Sequence, residues 1–213
     1  LVVGLQLVSC SSTPHESRSV PSEEYTDRSF MTAQPCPPPC WQGLELCNAT
    51  RAEVTTVIRQ LSFLDASRAK TSQPYRSDLC GDSSAVVAAT DLEVPCTRPK
   101  DSTCARFVFR DDVLAGIVLH LNYELTIRDI QAFFGDPDFA AVTPWGPECV
   151  ACELTMFYPS IGIAVTHDTS ACSAWNEQCQ PVQDGFPVDP AMRVTRVEFW
   201  PQAYFDIVSA SGE

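Results

Sequence analysis

The sequence predicts an α+β fold of two helix-plus-antiparallel-sheet units that is stabilised by disulfides. Thr50 and Thr126 each stand three residues before an acidic residue, the pattern of a helix-starting capping box. Apolar residues at helical spacing follow both starts, and pairs of β-rich runs follow each helix. Ten cysteines are able to pair with one another. Because helices and antiparallel strands occur in separate runs, the α+β class is favoured.

The composition indicates a globular protein with a strongly acidic surface. The chain has 213 residues, of which 45% are hydrophobic, enough to form a packed core. The formal net charge is −13, from 14 basic and 27 acidic residues. An acidic surface repels phosphate, so nucleic acid is not an expected partner. No run of basic residues indicates an electrostatic membrane site.

The first residues predict export from the cytoplasm and a lipid anchor. Residues 1–9 are nearly all apolar but too few to span a bilayer, as expected of a signal-peptide remnant. Leu7-Val8-Ser9-Cys10 resembles the bacterial lipoprotein lipobox, which implies cleavage before Cys10 and lipidation of its sulfur. Residues 10–39 are rich in Ser, Thr and Pro and are predicted to be a flexible tether. An ordinary cleaved signal with a coincidental cysteine is the alternative.

The cysteine count predicts a disulfide framework in an oxidising compartment. Without Cys10 the eleven cysteines become an even set of ten, so all of them can pair. The predicted disulfide-forming residues are Cys36, Cys40, Cys47, Cys80, Cys96, Cys104, Cys149, Cys152, Cys172 and Cys179. Spacing alone favours two local pairs, Cys96 with Cys104 and Cys172 with Cys179, and leaves the remaining connectivity open. The protein is therefore expected in the bacterial cell envelope, facing outside the cytoplasm.

The first unit is predicted over residues 40–121. Its helix is expected from about residue 49 to residue 64, where Val54, Val57, Ile58 and Leu61 form one apolar face. A strand is expected in the segment SAVVAATDLEV. Two β-rich runs then flank Arg110-Asp111-Asp112, which predicts a hairpin.

The second unit is predicted over residues 122–204, with 205–213 as a C-terminal tail. Its helix follows Thr126, and Gly135 is expected to close it in the left-handed conformation. A second hairpin is expected to turn at residues 158–160, and VTRVEFWPQ predicts a final strand. The two helix starts lie 76 residues apart. Whether the units are a tandem repeat is left open.

Short motifs suggest two resemblances. A helix followed by Gly135-Asp136-Pro137 and antiparallel strands resembles the fold shared by the small lipoprotein of the outer-membrane barrel-assembly machinery and the β-lactamase inhibitor protein, which has this unit in tandem. PCPPPCWQGLELCNATRAEV is similar to the start of uncharacterised lipoproteins of Chloroflexi-type bacteria. The first resemblance implies a non-enzymatic domain that binds other proteins through its sheet and loops.

Two other classes of function remain as alternatives. Cys149 and Cys152 form a C-x-x-C motif, so an extracytoplasmic thiol-disulfide oxidoreductase is one of them. The residues after Cys152 are strand-like rather than helical, which favours structural disulfides. A zinc site would need a second half from Cys172 and Cys179 or from Cys36 and Cys40, at irregular spacing. A module that binds an envelope ligand in a groove between helix and sheet is the other alternative.

No catalytic set is predicted, and no cofactor or metal is expected. His120 and His167 occupy predicted strand ends without a surrounding metal motif. Asp111 and Asp112 are interpreted as turn residues rather than paired catalytic carboxylates. The expected partners are a membrane, through the lipid, and an unknown protein. The aromatic residues predicted as candidates for contact with that protein are Trp41, Trp145 and Trp200.

Overall fold

The computed structural model describes residues 27–73, 75–77, 80, 87–98, 102–145, 151–169 and 188–211. These residues form four α-helices and nine strands. The helices are α1 (Ser29–Thr32), α2 (Arg51–Gln60), α3 (Ile127–Phe134) and α4 (Gln202–Ser211). The strands are β1 (Lys70–Thr71), β2 (Tyr75–Ser77), β3 (Val87–Pro95), β4 (Thr103–Arg110), β5 (Val113–His120), β6 (Phe139–Trp145), β7 (Ala151–Tyr158), β8 (Ile163–Thr169) and β9 (Arg196–Phe199).

All nine strands belong to one antiparallel sheet. Its order is β1-β3-β4-β5-β9-β8-β7-β6, and β2 also pairs with β3. The first unit supplies β3 to β5 and the second supplies β6 to β8. Strand β9 pairs with both β5 and β8, so it joins the two units into a continuous sheet. The α+β class is confirmed, with the two predicted units merged through the last strand.

Both predicted hairpins are present, and their turns follow from local chemistry. Asp111 and Asp112 have positive φ angles of 49° and 63°, as the two central residues of a type I′ turn do. Acidic and amide side chains tolerate this conformation better than most others. The second hairpin turns through a short 3₁₀ segment, Pro159–Ile161, and closes at Gly162 with φ of 67°.

The two capping boxes are present as predicted. In α2 the Thr50 hydroxyl accepts a hydrogen bond from the Glu53 backbone N–H, and the Glu53 carboxylate accepts one from the Thr50 backbone N–H. Helix α2 ends at Gln60, four residues before the predicted end, because Leu61 already has an extended backbone. Helix α3 repeats the box with Thr126 and Asp129. Gly135 ends α3 at positive φ, but its ψ of −165° is extended rather than left-handed helical.

The N-terminal segment is part of the folded domain. Phe30 of α1 packs edge-on against Phe199 of β9, with ring centroids 6.1 Å apart. Trp41 packs against Phe107 of β4 at 5.8 Å and donates its indole N–H to Asp27 at 2.6 Å. These contacts lie in the same apolar cluster as the buried residues of α2 and α3. The predicted tether, residues 10–39, is therefore too long: folded structure begins by Asp27.

The opposite face of the sheet carries a smaller apolar cluster under α4. Phe205 of α4 and Trp200 pack there against residues of β4, β5, β7 and β8. The sequence analysis assigned residues 205–213 to a tail, whereas α4 reaches Ser211. The sequence gives little sign of this helix, because Phe205 is the one fully buried residue among 202–210, so the apolar periodicity is weak.

Three disulfides lie within the described residues: Cys36–Cys40, Cys47–Cys80 and Cys96–Cys104. The last confirms a pair predicted from spacing. Cys152 is also disulfide-bonded, and Cys10, Cys149, Cys172 and Cys179 lie outside the described residues. Because disulfides persist in oxidising compartments, the framework indicates a domain outside the cytoplasm. Across the described ranges, every helix is too short or too polar to cross a bilayer.

Candidate functional site

The predicted aromatic contact residues have different positions in the structure. Trp41 is only 1% exposed and belongs to the main core. Trp200 is 6% exposed and packs under α4. Trp145 ends β6, and its side chain lies outside the described part of the structure. Phe133 of α3, which the sequence analysis did not single out, is 51% exposed.

Cys152 lies near the start of β7, one strand in from the edge of the sheet, rather than at a helix terminus. It pairs with Pro144 of β6 on one side and with Thr169 of β8 on the other, and its side chain is completely buried. Reactive cysteine pairs need partial exposure and an electropositive setting such as a helix N-terminus. This position is typical of a structural disulfide. The other cysteine of the C-x-x-C motif, Cys149, lies outside the described residues.

A groove of about 640 Å³ runs beside α2, but it is not an apolar pocket between helix and sheet. One wall is the outer face of α2, and the other is the segment from Gly43 to Ala49. Glu45, Asn48 and Glu53 make the groove polar and acidic. Cavities that bind small ligands are usually enclosed and mostly apolar. The groove therefore offers little support for a ligand-binding module.

The strongest candidate site is a band of polar residues on the sheet face that carries α4. Directly opposite residues in antiparallel strands share one face, so register defines the band. His120, Arg196, Thr166 and Thr155 stand in one row across β5, β9, β8 and β7. Glu153 and Glu198 flank this row on the same face. We call these six residues, His120, Glu153, Thr155, Thr166, Arg196 and Glu198, the polar strip.

Arg196 is the centre of the polar strip. Its Nη2 lies 2.5 Å from Glu153 Oε1, and its Nε lies 2.5 Å from Glu198 Oε1. The same Nη2 approaches Thr166 Oγ1 at 3.4 Å. Burial alone would lower the pKa of Arg196, but the charges and hydrogen bonds of both glutamates raise it. The guanidinium is therefore fixed in place and permanently charged.

One end of the strip is closed by Trp200 and α4. The Trp200 indole donates to Glu198 Oε2 at 2.6 Å, which occupies the second oxygen of that carboxylate. The Tyr204 ring stacks on Trp200 with centroids 4.7 Å apart. Burial, with the nearby Glu198 charge, raises the pKa of Tyr204 to about 12. At the other end the strip stays accessible: the side chains of Arg196 and Glu153 are 20% and 30% exposed.

The pKa of His120 responds to the charges around the polar strip. Partial burial and the positive charges of Arg196 and Arg106 lower its pKa below the ordinary value of 6.5. As the pH falls, His120 therefore takes up its proton in the unfolded chain before it does so in the folded protein. The free energy of unfolding is accordingly highest above about pH 6.5 and decreases as the pH falls. We expect a titration midpoint below 6.5 for His120 by NMR, and a higher midpoint in Arg106→Gln and Arg196→Gln.

Arg59→Gln, on the distant end of α2, is the matched control and should leave the His120 midpoint unchanged. A midpoint at or above 6.5 in the unsubstituted protein would contradict the assignment. Equal shifts of the His120 midpoint in Arg59→Gln and Arg106→Gln would also contradict the assignment. Arg106 is 40% exposed and contacts only Asp91, at 3.7 Å, among the ion pairs of the described residues, so its replacement should disturb the sheet less than that of Arg196, which bridges two glutamates.

The arrangement is suited to recognition through complementary charges and hydrogen bonds. The strip holds charges of both signs, two hydroxyls and an imidazole on rigid strands, and each charged group already has a partner. Among the residues that the structure describes, no group of three or more His, Cys, Asp or Glu side chains could hold a metal ion.

The sequence analysis missed the polar strip because its members are far apart along the chain. A weak signal was present, since Glu153, Thr155, Arg196 and Glu198 alternate with apolar residues in β-rich runs. Such alternation predicts a polar face but does not indicate that Glu153 contacts Arg196.

Comparisons with protein-family models, curated proteins and solved structures give no significant match to this chain.

Proposed function

We propose that this protein is a lipid-anchored, non-enzymatic module of the bacterial cell envelope that binds another protein through the polar strip. The observation that carries the proposal is the Arg196 network. It is held across three strands, β7, β8 and β9, and the side chains of Arg196 and Glu153 remain 20% and 30% exposed. A face that only had to meet water would not need a charge fixed by two carboxylates and a hydroxyl.

A protein partner fits this surface better than a small ligand. The strip lies on a sheet face rather than in a closed cavity, so a partner must contact it over a wide area. Charges of both signs and a fixed Arg favour specificity through complementary charges. The resemblance to the β-lactamase inhibitor protein supports binding through a sheet in the same way. The tandem-repeat origin of the two units stays a prediction.

The anchor is proposed from the lipobox resemblance at Cys10. The 16 residues between Cys10 and Asp27 extend to about 55 Å at most, at roughly 3.4 Å per residue. A domain so tethered could reach a partner in the same membrane or just beyond it. Mass spectrometry of the protein recovered from its native envelope should show a diacylglyceryl group on the residue-10 sulfur. An unmodified Cys10 would refute the anchor and leave the binding proposal to be tested separately.

Site-specific photo-crosslinking in the native envelope tests the binding surface. A photoreactive amino acid at His120 or Ala141, both exposed on the strip side of the sheet, should give one discrete protein adduct. The matched controls are Ala52 of α2 and Ala132 of α3, which are equally exposed on the helical side. Equal crosslinking from the two sides, or from the helical side alone, would refute the polar strip as the contact surface.

A further inference from the structure

One of the two edges of the sheet is a long and regular strand. Strand β6 pairs with β7 along all seven of its residues without a register shift, and β7 is its one neighbour among the described strands. The other edge is formed by β1 and β2, which have two and three residues and carry Lys70 and Arg76. Short strands and basic side chains protect an edge from further pairing. Strand β6 has neither protection, because its sequence, FAAVTPW, contains no charged residue.

The register of the sheet shows which backbone groups of β6 point away from β7. In antiparallel strands the N–H and the C=O of one residue point to the same neighbour, and this direction alternates along the strand. The Thr195 N–H donates to the Thr166 carbonyl at 2.8 Å, so Thr166 faces the side of β9 and His167 faces β7. His167 lies opposite Leu154, which therefore faces β8, and Val142 opposite Leu154 faces outward.

Ala140 and Pro144 share this outward direction, because each lies two residues from Val142. Ala140 and Val142 each present an N–H and a carbonyl oxygen to a further strand, and Pro144 presents a carbonyl oxygen. Proline occurs in sheets at edges, with its missing N–H on the outer side, so the position of Pro144 agrees with the register. We call the outward backbone groups of Ala140, Val142 and Pro144 the open edge. The side chains of Ala140, Ala141 and Thr143 are exposed and small, so they leave room for an added strand.

An added strand would place its side chains alternately on the two faces of the sheet. On the face of the polar strip they would lie beside Ala141 and Thr143, which stand opposite Thr155 and Glu153. On the other face they would lie beside Val142, which packs against the main core. The open edge therefore fits a strand with polar residues on one face and apolar residues on the other.

The charge around the open edge favours basic residues on the polar face of that strand. From residue 129 to residue 192 the chain contains no lysine or arginine but nine acidic residues. Among them, Asp138 directly precedes β6, and Glu153 and Asp168 stand opposite each other in β7 and β8. Arg196, the arginine of the polar strip, is already paired with two glutamates. A second copy of this chain would bring the same acidic residues together, so a basic segment of another protein is the better occupant.

We infer that the open edge takes up an extended, basic segment of the partner protein as a further strand of the sheet. In this mode of recognition, main-chain hydrogen bonds supply the affinity and alternate side chains supply the specificity. The inference deepens the proposed function, on which it rests for the existence of a protein partner. The added strand would continue the sheet on the side of β7 and β8, directly beside the polar strip.

Binding of a synthetic peptide to the full, oxidised chain tests the open edge. The probe is a peptide of alternating valine and lysine with the length of β6, and its affinity is measured by fluorescence anisotropy. A valine opposite Val142 would direct its N–H towards β6, so the same peptide with N-methylated valines should bind at least about tenfold more weakly. A peptide of alternating valine and glutamate should not bind. In NMR spectra the largest amide shifts on adding the probe should be those of Ala140 and Val142.

Two pairs of variants test the hydrogen bonding and the charge separately. Ala140→Pro removes an outward N–H and leaves the pairing with β7 intact, so it should weaken binding of the probe about fivefold, whereas Ala140→Val keeps the N–H and should change it less than twofold. Thr143→Lys places a positive charge beside the lysines of the probe and should weaken binding about threefold, whereas Thr143→Gln should not. If Ala140→Pro failed to fold, the N-methylated peptide would still test the backbone contact.

Four results would overturn the inference: no binding of the valine–lysine peptide, equal binding of its N-methylated form, the largest amide shifts at β1 to β3, or an equal loss in Ala140→Val. A dimer of the free chain that Ala140→Pro dissociates would do so as well, because a second copy would then occupy the open edge. The contact through the polar strip is decided independently by photo-crosslinking in the native envelope, so the two proposals can fail separately.

Discussion

Removing the Cys47–Cys80 disulfide with Cys47→Ser/Cys80→Ser should lower the free energy of unfolding by about 4 kcal/mol. The bond joins residues 33 apart in sequence. In the loop-entropy model, stabilisation grows with the logarithm of that separation, because the crosslink restricts the unfolded chain. Separately from the disulfide, the backbone N–H of Cys47 donates to the Leu114 carbonyl of β5 at 2.7 Å, a contact that the substitutions do not remove directly.

Cys36→Ser/Cys40→Ser provides the comparison, because that disulfide spans only 4 residues. The same model gives about 2 kcal/mol for this short loop, roughly half the effect. Urea titrations of both variants and of the unsubstituted chain measure the difference. If the short-loop variant lost as much stability as the long-loop variant, loop entropy would not explain how these crosslinks stabilise the fold.

Gly116→Ala should destabilise the protein by about 3 kcal/mol, at the upper end of the range for overpacked cores. Gly116 lies on β5 directly beneath the six-membered ring of Trp200, and an added Cβ would overlap that ring. Trp200 has little freedom to move away. Its indole N–H is bonded to Glu198, and its ring is stacked on Tyr204.

Two further variants separate the overlap from other effects of replacing glycine. Gly135→Ala places a Cβ in open space but at φ of +82° and ψ of −165°, a region essentially restricted to glycine, so it should cost about 2 kcal/mol through backbone strain alone and should not depend on Trp200. Trp200→Phe shortens the ring above Gly116 and should make Gly116→Ala less damaging, a positive coupling in a double-mutant cycle. If the two substitutions were additive in thermal or urea unfolding, contact with the Trp200 ring would be refuted as the cause.

Local elements were predictable because their causes are local. The capping boxes at Thr50 and Thr126 need only a hydroxyl and a carboxylate three residues apart. The turn at Asp111 and Asp112 needs two residues that tolerate positive φ between β-rich runs. The Cys96–Cys104 pair encloses a short loop between neighbouring strands. These features would form in the same way in many folds.

Features that depend on long-range packing were not predictable in this way. Nothing near Arg196 in the sequence indicates that β9 inserts between β5 and β8. The position of β9 is set by the burial of Val197 and Phe199 in a core made by both units. The Glu153–Arg196 contact results from that insertion. Burial of the N-terminal segment also depends on the sheet, because Phe30 packs against Phe199 and Trp41 packs against Phe107.

The sequence by itself determined the helix starts, the hairpin turns and the Cys96–Cys104 pair, because each depends on residues that are neighbours or near neighbours in the chain. It also determined the α+β class, through the order of helices and strands, and the expectation of a disulfide framework, through the number of cysteines. The tertiary structure alone decided the strand order, the polar strip and the packing of α4. Those features depend on which apolar faces pack together. The free energy of that burial is a sum over the whole core, so no single segment of the sequence determines it.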